Sequence, residues 1–207
     1  MKTEMDWLAY ARELTAIAQT GLHYSEDIFD QERYGRILTM AQEMMAVLMD
    51  TCPTYIRDLQ AEDAGHQTPK IDTRAVVWRD DQLLLVQEAN GLWSLPGGWM
   101  DVTETLRSNA KKEAFEEAGA RVEPGRVIAL LDRNINNPGK NPYTIVKVFV
   151  ECDYIEGDFI PNSETLACDF FSLDSLPPLE ERKTSYDQVD MCFQAKSQGQ
   201  AWQVKLD

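Results

Sequence analysis

The chain has 207 residues, 43% of them hydrophobic, and 35 acidic against 20 basic side chains give a net charge of −15. That length suits one ordinary domain plus a small appendage, with ample material for a core. The acidic balance excludes duplex nucleic-acid binding through a basic surface, and a phosphate-rich substrate would need local cations. No apolar run approaches transmembrane length and the opening Met1–Asp6 stretch is no signal peptide. The 4 cysteines, Cys52, Cys152, Cys168 and Cys192, lack metal or redox spacing, so the expectation is a cytoplasmic protein with reduced thiols.

A first amphipathic helix is predicted from Met5 to Gln19, on the stripe Trp7, Tyr10, Leu14 and Ile17, with Gly21 as its stop. A second, longer helix is predicted from an N-cap at Asp30, with Tyr34, Ile37, Ala41, Met44 and Leu48 on one face, ended or kinked by Pro53. Met40, Met44, Met45 and Met49 read as core or interface packing rather than a binding groove. Two helices in so short a stretch cannot bury both stripes, so they must pack on the following domain or on a second copy. Gln60–Pro69 is polar and aperiodic and reads as a linker. The division is therefore 1–66 for a helical domain with its linker and 67–207 for the remainder.

From Ile71 the pattern changes to strands. Thr73–Trp78 and Leu83–Val86 flank a hairpin turn at Asp80-Asp81, and Val127–Leu131 and Tyr143–Val150 follow beyond a helix. Asn134–Pro142 is a loop of turn formers, Phe170–Ser172 a short strand, Leu176–Leu179 a rigid turn, and 185–196 a closing helix carrying Val189, Cys192 and Phe193 inward. Strands interleaved with helices indicate an α/β class, an α+β sandwich.

The stretch that carries chemistry runs from Gly97 to Ala120. A glycine pair leads into a helix expected to start at an Asp101 N-cap with Glu104 at N3. Leu106, Ala110, Ala114 and Ala118 form its packing face, and Gly119 its left-handed end. On the other face Glu113, Glu116 and Glu117 stand at i, i+3 and i+4, a like-charge cluster that destabilises a bare helix. A hard divalent cation reverses that sign, since Mg²⁺ takes carboxylate and phosphate oxygens together. Lys112 is placed to hold one of these carboxylates by ion pairing.

This stretch resembles the signature of the Nudix hydrolases, G-x5-E-x7-R-E-U-x-E-E-x-G-U with U a bulky aliphatic residue. Gly98, Glu104, Glu113, Glu116, Glu117 and Gly119 fall in register, while Lys112 stands for Arg, and Ala114 and Ala120 for aliphatic residues. Leu92–Gly98 is similar to the family's usual approach to that box. The resemblance implies a Nudix fold over roughly Pro69 to the C-terminus, a mixed sheet between helices preceded by the small helical domain. It implies Mg²⁺ or Mn²⁺ held by Glu116, Glu117 and the Gly97 carbonyl, with Glu104 helping. Glu113, oriented by Lys112, would bind metal or take a proton. A Lys there is a point charge in place of a rigid fork and should hold Glu113 less firmly. Glu164 is the candidate for a further acidic residue from a later loop. Arg74, Arg133 and Lys140 are candidates for substrate phosphates and Tyr143 for stacking on a base.

The runs Ala18–Leu22 and Phe29–Tyr34 also resemble the N-terminal segment of a bacterial Nudix subfamily acting on nucleoside diphosphates linked to another moiety, where it is associated with dimers. The resulting expectation is a metal-dependent pyrophosphohydrolase releasing NMP and a phosphorylated X, with CDP-choline-like substrates favoured and ADP-ribose next. The partners expected are a small nucleotide substrate and a second copy of the chain in a homodimer, without membrane or duplex nucleic acid. The alternatives are hydrolysis of nucleoside triphosphates or RNA 5′ ends, and a non-catalytic nucleotide-sugar sensor; the intact carboxylates count against the latter.

Overall fold

A computed structural model describes residues 6–61, 65–162 and 164–207. The expected helix start at Met5, residues 62–64 of the linker and Ser163 of the Glu164 loop lie outside the described residues. The chain divides into two compact units, one from Met1–Pro69 with Lys140–Thr144, the other from Lys70–Gly139 with Ile145–Asp207.

In the first unit, α1 (Trp7–Tyr24) starts at Asp6, whose carboxylate accepts from the amides of Leu8 and Ala9 at 3.0 Å. It does not stop at Gly21. A Cβ there would lie 2.5 Å from the Tyr34 ring, so the glycine permits close approach to α2 (Ile28–Leu48) and the helix continues one turn further. The N-cap of α2 is Asp27 and not Asp30, because Asp27 is the carboxylate that reaches the amides of Phe29 and Asp30. Asp50, at φ 58°, turns the chain after α2, and Pro53 then opens an unforeseen third helix, α3 (Pro53–Gln60), at a position where its missing N–H costs nothing.

The core of this unit is Ala11, Met45, Ala46 and Ile56, with Met44 and Met49 packed against it. The buried face of α1 is the small-residue row Ala11, Thr15, Ala18 and Gln19. The larger stripe is not inside: Trp7, Tyr10 and Ile17 are half exposed. Small residues let two helices approach closely, which the bulky stripe would prevent. Arg12 donates to the Asn141 carbonyl and the Tyr143 hydroxyl to the Leu59 carbonyl, so Lys140–Thr144 belongs with these helices. The strand expected from Tyr143 therefore begins at Ile145.

The second unit is a mixed sheet between two helices, as the resemblance implies. Its strands are β1 (Lys70–Arg79), β2 (Gln82–Glu88), β3 (Trp93–Ser94), β4 (Arg121–Asp132), β5 (Ile145–Glu156), β6 (Thr165–Phe171) and β7 (Lys205–Leu206), in the order β3-β2-β1-β5-β4-β7 with β6 on β2. The hairpin β1–β2 closes at Asp80-Asp81 in the register Trp78 to Leu83, as expected. β1 and β5 run parallel, the others antiparallel except for the short β7.

Alternation sorts the side chains into two cores. Val76, Trp78, Leu83, Leu85 and Phe149 face α6 (Tyr186–Gln198) through Val189, Met191, Cys192 and Ala195. Ala75, Val77, Leu84, Val86, Val148 and Val150 face α4 (Leu106–Ala118) through Ala110, Ala114 and Ala118. Strand residues on both faces are buried, which explains the near-continuous apolar runs in β1, β2 and β5. The loop 134–142 opens with a short helix, α5 (Arg133–Asn136). None of the described helices is long and apolar enough to cross a membrane.

Candidate active site

The site is assembled where the segment after β3 runs alongside β1. Ala75 N–H donates to the Pro96 carbonyl at 2.8 Å, Thr73 N–H to Gly98 at 2.9 Å, and Met100 N–H to Ile71 at 2.9 Å. Gly97 lies between these anchors at φ 151°, where a Cβ would fall on the Thr73 carbonyl oxygen, so only glycine fits. Its amide points away from β1 and donates to Glu117 Oε2 at 3.0 Å. Gly98 makes room for the second carboxylate, since a Cβ there would lie 2.9 Å from Glu113 Oε2. The glycine pair thus sets one peptide against Glu117 and leaves space for Glu113.

The helix that presents them begins later than expected. Thr105 is the N-cap of α4 and closes a capping box with Ser108; Asp101 is not the cap, because residues 101–104 form a separate turn with Glu104 N–H on the Asp101 carbonyl. Asp101 instead accepts from Lys112 Nζ at 2.7 Å. Lys112 therefore ties α4 to the glycine loop and reaches Glu113 through its field alone, contrary to the direct pairing expected. Gly119 ends the helix at φ 63°, in the left-handed conformation expected. Asn109, buried in α4, donates to Thr73 Oγ1 at 2.7 Å and fixes the helix on β1.

Electrostatics sharpen the picture. Burial pushes the Glu117 carboxyl up to about 7, against the pull of Arg74 and the Gly97 N–H. Burial also raises Glu113, with Lys112 opposing and Glu116 adding to it. Two half-buried carboxylates held above their ordinary range, with Glu113 accepting no hydrogen bond among the described residues, form a donor set that fits a hard divalent cation. Glu116 is exposed on the same helix and Glu104 half-buried in the turn before it. Among the described residues no three such side chains are drawn together as a metal cluster.

The remaining candidates divide. Asn162 donates to the Glu116 carbonyl at 2.9 Å, so the loop bearing the exposed Glu164 is tied to the last turn of α4. Arg74 is no surface cation. It is buried and grips Asp72 through two bonds of 2.8 and 2.7 Å, with a third to the Leu95 carbonyl. That pair braces the glycine loop from beneath. Arg133 is buried too and holds the carbonyls of Pro138 and Gly139. Tyr143 and Lys140 belong to the helical unit.

Sequence reasoning missed Asp72, Asn109, Asn137, Lys147 and Gln188. Lys147, fully buried in β5, donates to Asn137 Oδ1 at 3.1 Å and to the Lys183 carbonyl; Asn137 and Gln188 bond each other; Leu95 N–H donates to Thr184 Oγ1 at 3.0 Å. The available signal was a lone lysine in the apolar run Ile145–Val150. Burial pushes the Lys147 amine down to about 6, with Arg74 adding to the shift and Asp72 opposing it. Between that value and its ordinary 10.5 the folded chain carries a neutral amine and the unfolded chain a charged one. Stability should therefore rise with pH across that window and be lost as pH falls towards 6. Denaturant melts at pH 7 and pH 9 should show the wild type gaining up to about 1.4 kcal/mol per pH unit relative to Lys147→Met.

A family model described as the NUDIX domain matches residues 68–191, and one described as "UDP-X-like, N-terminal oligomerisation domain" matches 5–59. The chain belongs to the Nudix hydrolases. It is 38% identical over 194 residues to the "Putative ADP-ribose pyrophosphatase YjhB" of Bacillus subtilis (strain 168), covering 93% of each chain. A crystal structure of an ADP-ribose pyrophosphatase from Streptococcus suis 89-1591 superposes with a TM-score of 0.62 at 49% identity, over 68% of this chain and 100% of that one. A crystal structure of UDP-X diphosphatase gives 0.63 at 28% identity, over 98% of both. This Nudix hydrolase is a metal-dependent pyrophosphohydrolase acting on a nucleoside diphosphate linked to a second moiety.

Proposed function

We propose that this Nudix hydrolase cleaves ADP-ribose to AMP and ribose 5-phosphate, ahead of the CDP-choline-like substrates that the sequence favoured. The observation that carries the pyrophosphatase chemistry is Glu117 on the Gly97 amide with Glu113 seated against Gly98. Support for ADP-ribose comes from the two relatives named for it, one similar along nearly the whole chain.

Glu116, Glu117 and the Gly97 carbonyl would hold Mg²⁺ or Mn²⁺, with Glu113 and Glu104 completing the set. A divalent ion there neutralises phosphate oxygens and lowers the pKa of an attacking water. Glu113, raised by burial, is suited to taking the proton that water loses. Glu164, on its tether to α4, is a second acceptor within the same loop cluster. Water adds to one phosphorus, the bridging oxygen leaves with the other, and two monophosphates result. The test is NMP release from ADP-ribose, CDP-choline, a UDP-sugar and a nucleoside triphosphate, with Mg²⁺ and with EDTA. The highest kcat/KM should fall on ADP-ribose and vanish in EDTA; preference for the triphosphate would overturn the reading.

The second reading is a homodimer through residues before Gln60. The first unit exposes a mostly apolar groove of about 550 Å³ lined by Trp7, Met40, Met44, Val47 and Leu48 together with Glu43, and the matching family model is described as an oligomerisation domain. Exposed patches of that kind mark interfaces. Light scattering should give twice the chain mass, and Val47→Glu, at a site 78% exposed, should give a folded monomer whose melting temperature no longer depends on protein concentration.

A further inference from the structure

We propose that Lys183 is a substrate-binding residue, whose amine leaves Glu88 to take a non-bridging oxygen of the substrate diphosphate. This contact rests on the pyrophosphohydrolase reading of the Glu117 site and deepens it, and it holds for any diphosphate-linked substrate.

Charge sets the need. A diphosphate approaches Glu113, Glu116 and Glu117 in a chain of net charge −15, so cations beside that cluster must receive it. The basic residues placed above are committed elsewhere. Arg74 is buried on Asp72, Arg133 is buried on two carbonyls, and Lys112 ties Asp101 to α4. Lys183 differs, because its side chain is 48% exposed and its amine lies 2.7 Å from Glu88 Oε2. Glu88 also accepts from the Ser94 hydroxyl at 2.9 Å, so it keeps a donor when the lysine goes. An ion pair open to water contributes about fivefold or less, and a charge-assisted bond to a phosphate oxygen is stronger.

Strand alternation places that amine on the catalytic side of the sheet. Leu84 and Val86 face α4, and Glu88 continues their row at the end of β2. Ser94, opposite Val86 in β3, shares that face and bonds Glu88 directly. The strap 178–184 that carries Lys183 leads into α6 on the other face, yet it is pinned to the segment entering the glycine loop. Trp93 N–H donates to the Pro178 carbonyl at 3.0 Å, Glu180 N–H to Trp93 at 2.8 Å, and Leu95 N–H to Thr184 Oγ1 at 3.0 Å. Lys183 itself donates its N–H to the Glu180 carbonyl at 2.8 Å, and its own carbonyl accepts from Lys147. Its backbone is therefore fixed, while its side chain reaches past β3 to the face where the Gly97 N–H meets Glu117. In keeping with that placement, Lys183 joins Arg74 in pulling the Glu117 carboxyl down against burial.

Binding can be read apart from turnover with α,β-methylene-ADP, whose P–C–P bridge resists hydrolysis. Calorimetry on the full chain with Mg²⁺ should show Lys183→Gln raising the Kd of this analogue about tenfold or more, and KM of the best substrate likewise. Adenosine, without phosphate, should bind both proteins alike. Lys183→Arg keeps the charge and should return the Kd to within about threefold of wild type. Glu88→Gln separates a binding role from a structural ion pair. It breaks the same pair but frees the amine, so the Kd should fall, by up to about fivefold. The two Gln variants should thus shift the melting temperature alike and affinity in opposite directions. Equal weakening in both would overturn the proposal. So would wild-type affinity in Lys183→Gln, or no analogue binding by the wild type. A chain that binds the analogue through Lys183 yet hydrolyses no diphosphate compound keeps this contact and removes the proposed activity. Turnover of ADP-ribose that is indifferent to Lys183→Gln removes the contact alone.

Discussion

Glu117→Gln should abolish metal-dependent turnover, with kcat/KM falling roughly 10²–10⁴-fold, while the protein melts at or above the wild-type temperature. The rate loss follows from removing charge at the centre of the donor set, where a divalent ion contributes several kcal/mol of transition-state stabilisation. The fold is spared because a glutamine has the same shape and its Oε1 can still accept from the Gly97 amide, the bond that Glu117 makes at 3.0 Å. Stability can even rise, since burial already pushes the Glu117 carboxyl up to about 7 and a neutral amide avoids that cost. Steady-state kinetics over a Mg²⁺ titration together with a thermal melt check both halves. Near-normal activity at saturating Mg²⁺ would remove Glu117 from the metal site.

Gly97→Ala should fail in the opposite way, losing stability and activity together. The new methyl would overlap the Thr73 carbonyl oxygen at a backbone angle, φ 151°, that L residues avoid. Neither partner can yield cheaply, because the Pro96 and Gly98 carbonyls on either side are hydrogen-bonded to β1. Backbone strain and forced overlap together should cost about 3 kcal/mol or more. Displacing the loop also withdraws the amide from Glu117, so activity should fall by at least about tenfold even where the protein stays folded. Equilibrium unfolding gives the first quantity and kinetics at low temperature the second. A variant of wild-type stability would show that the loop can leave β1 freely.

The contrast between these variants shows what was legible beforehand. Spacing alone put Glu113, Glu116 and Glu117 on one helix face, because the 3.6-residue period is a local property of the backbone. The alanine row against the sheet, the left-handed Gly119 and the Asp80-Asp81 hairpin were readable for the same reason. Helix starts were less so. Asp27 and Thr105 cap α2 and α4 in place of Asp30 and Asp101 because several capping residues stand close together. Which one caps depends on the path of the incoming chain.

Gly21 illustrates the limit most plainly. A glycine after an apolar stripe reads as a stop, yet here it admits the Tyr34 ring, a neighbour thirteen positions away that no local rule can name. Lys112 is similar, since its partner Asp101 lies across a loop while the adjacent Glu113 was the obvious choice. Arg74 and Lys147 went inside because β1 and β5 are covered on both faces. There a polar group survives only with partners: Arg74 keeps its charge on Asp72 of the same strand, and Lys147, neutral above about pH 6, donates to Asn137 and the Lys183 carbonyl from other elements. The sequence by itself determined the family, the carboxylate helix and the sheet class, all written in periodic or contiguous residues. The tertiary structure decided which peptide meets Glu117, what braces the glycine loop and which acceptors the buried Lys147 finds. Those depend on long-range contacts, whose identity is set by packing and not by spacing.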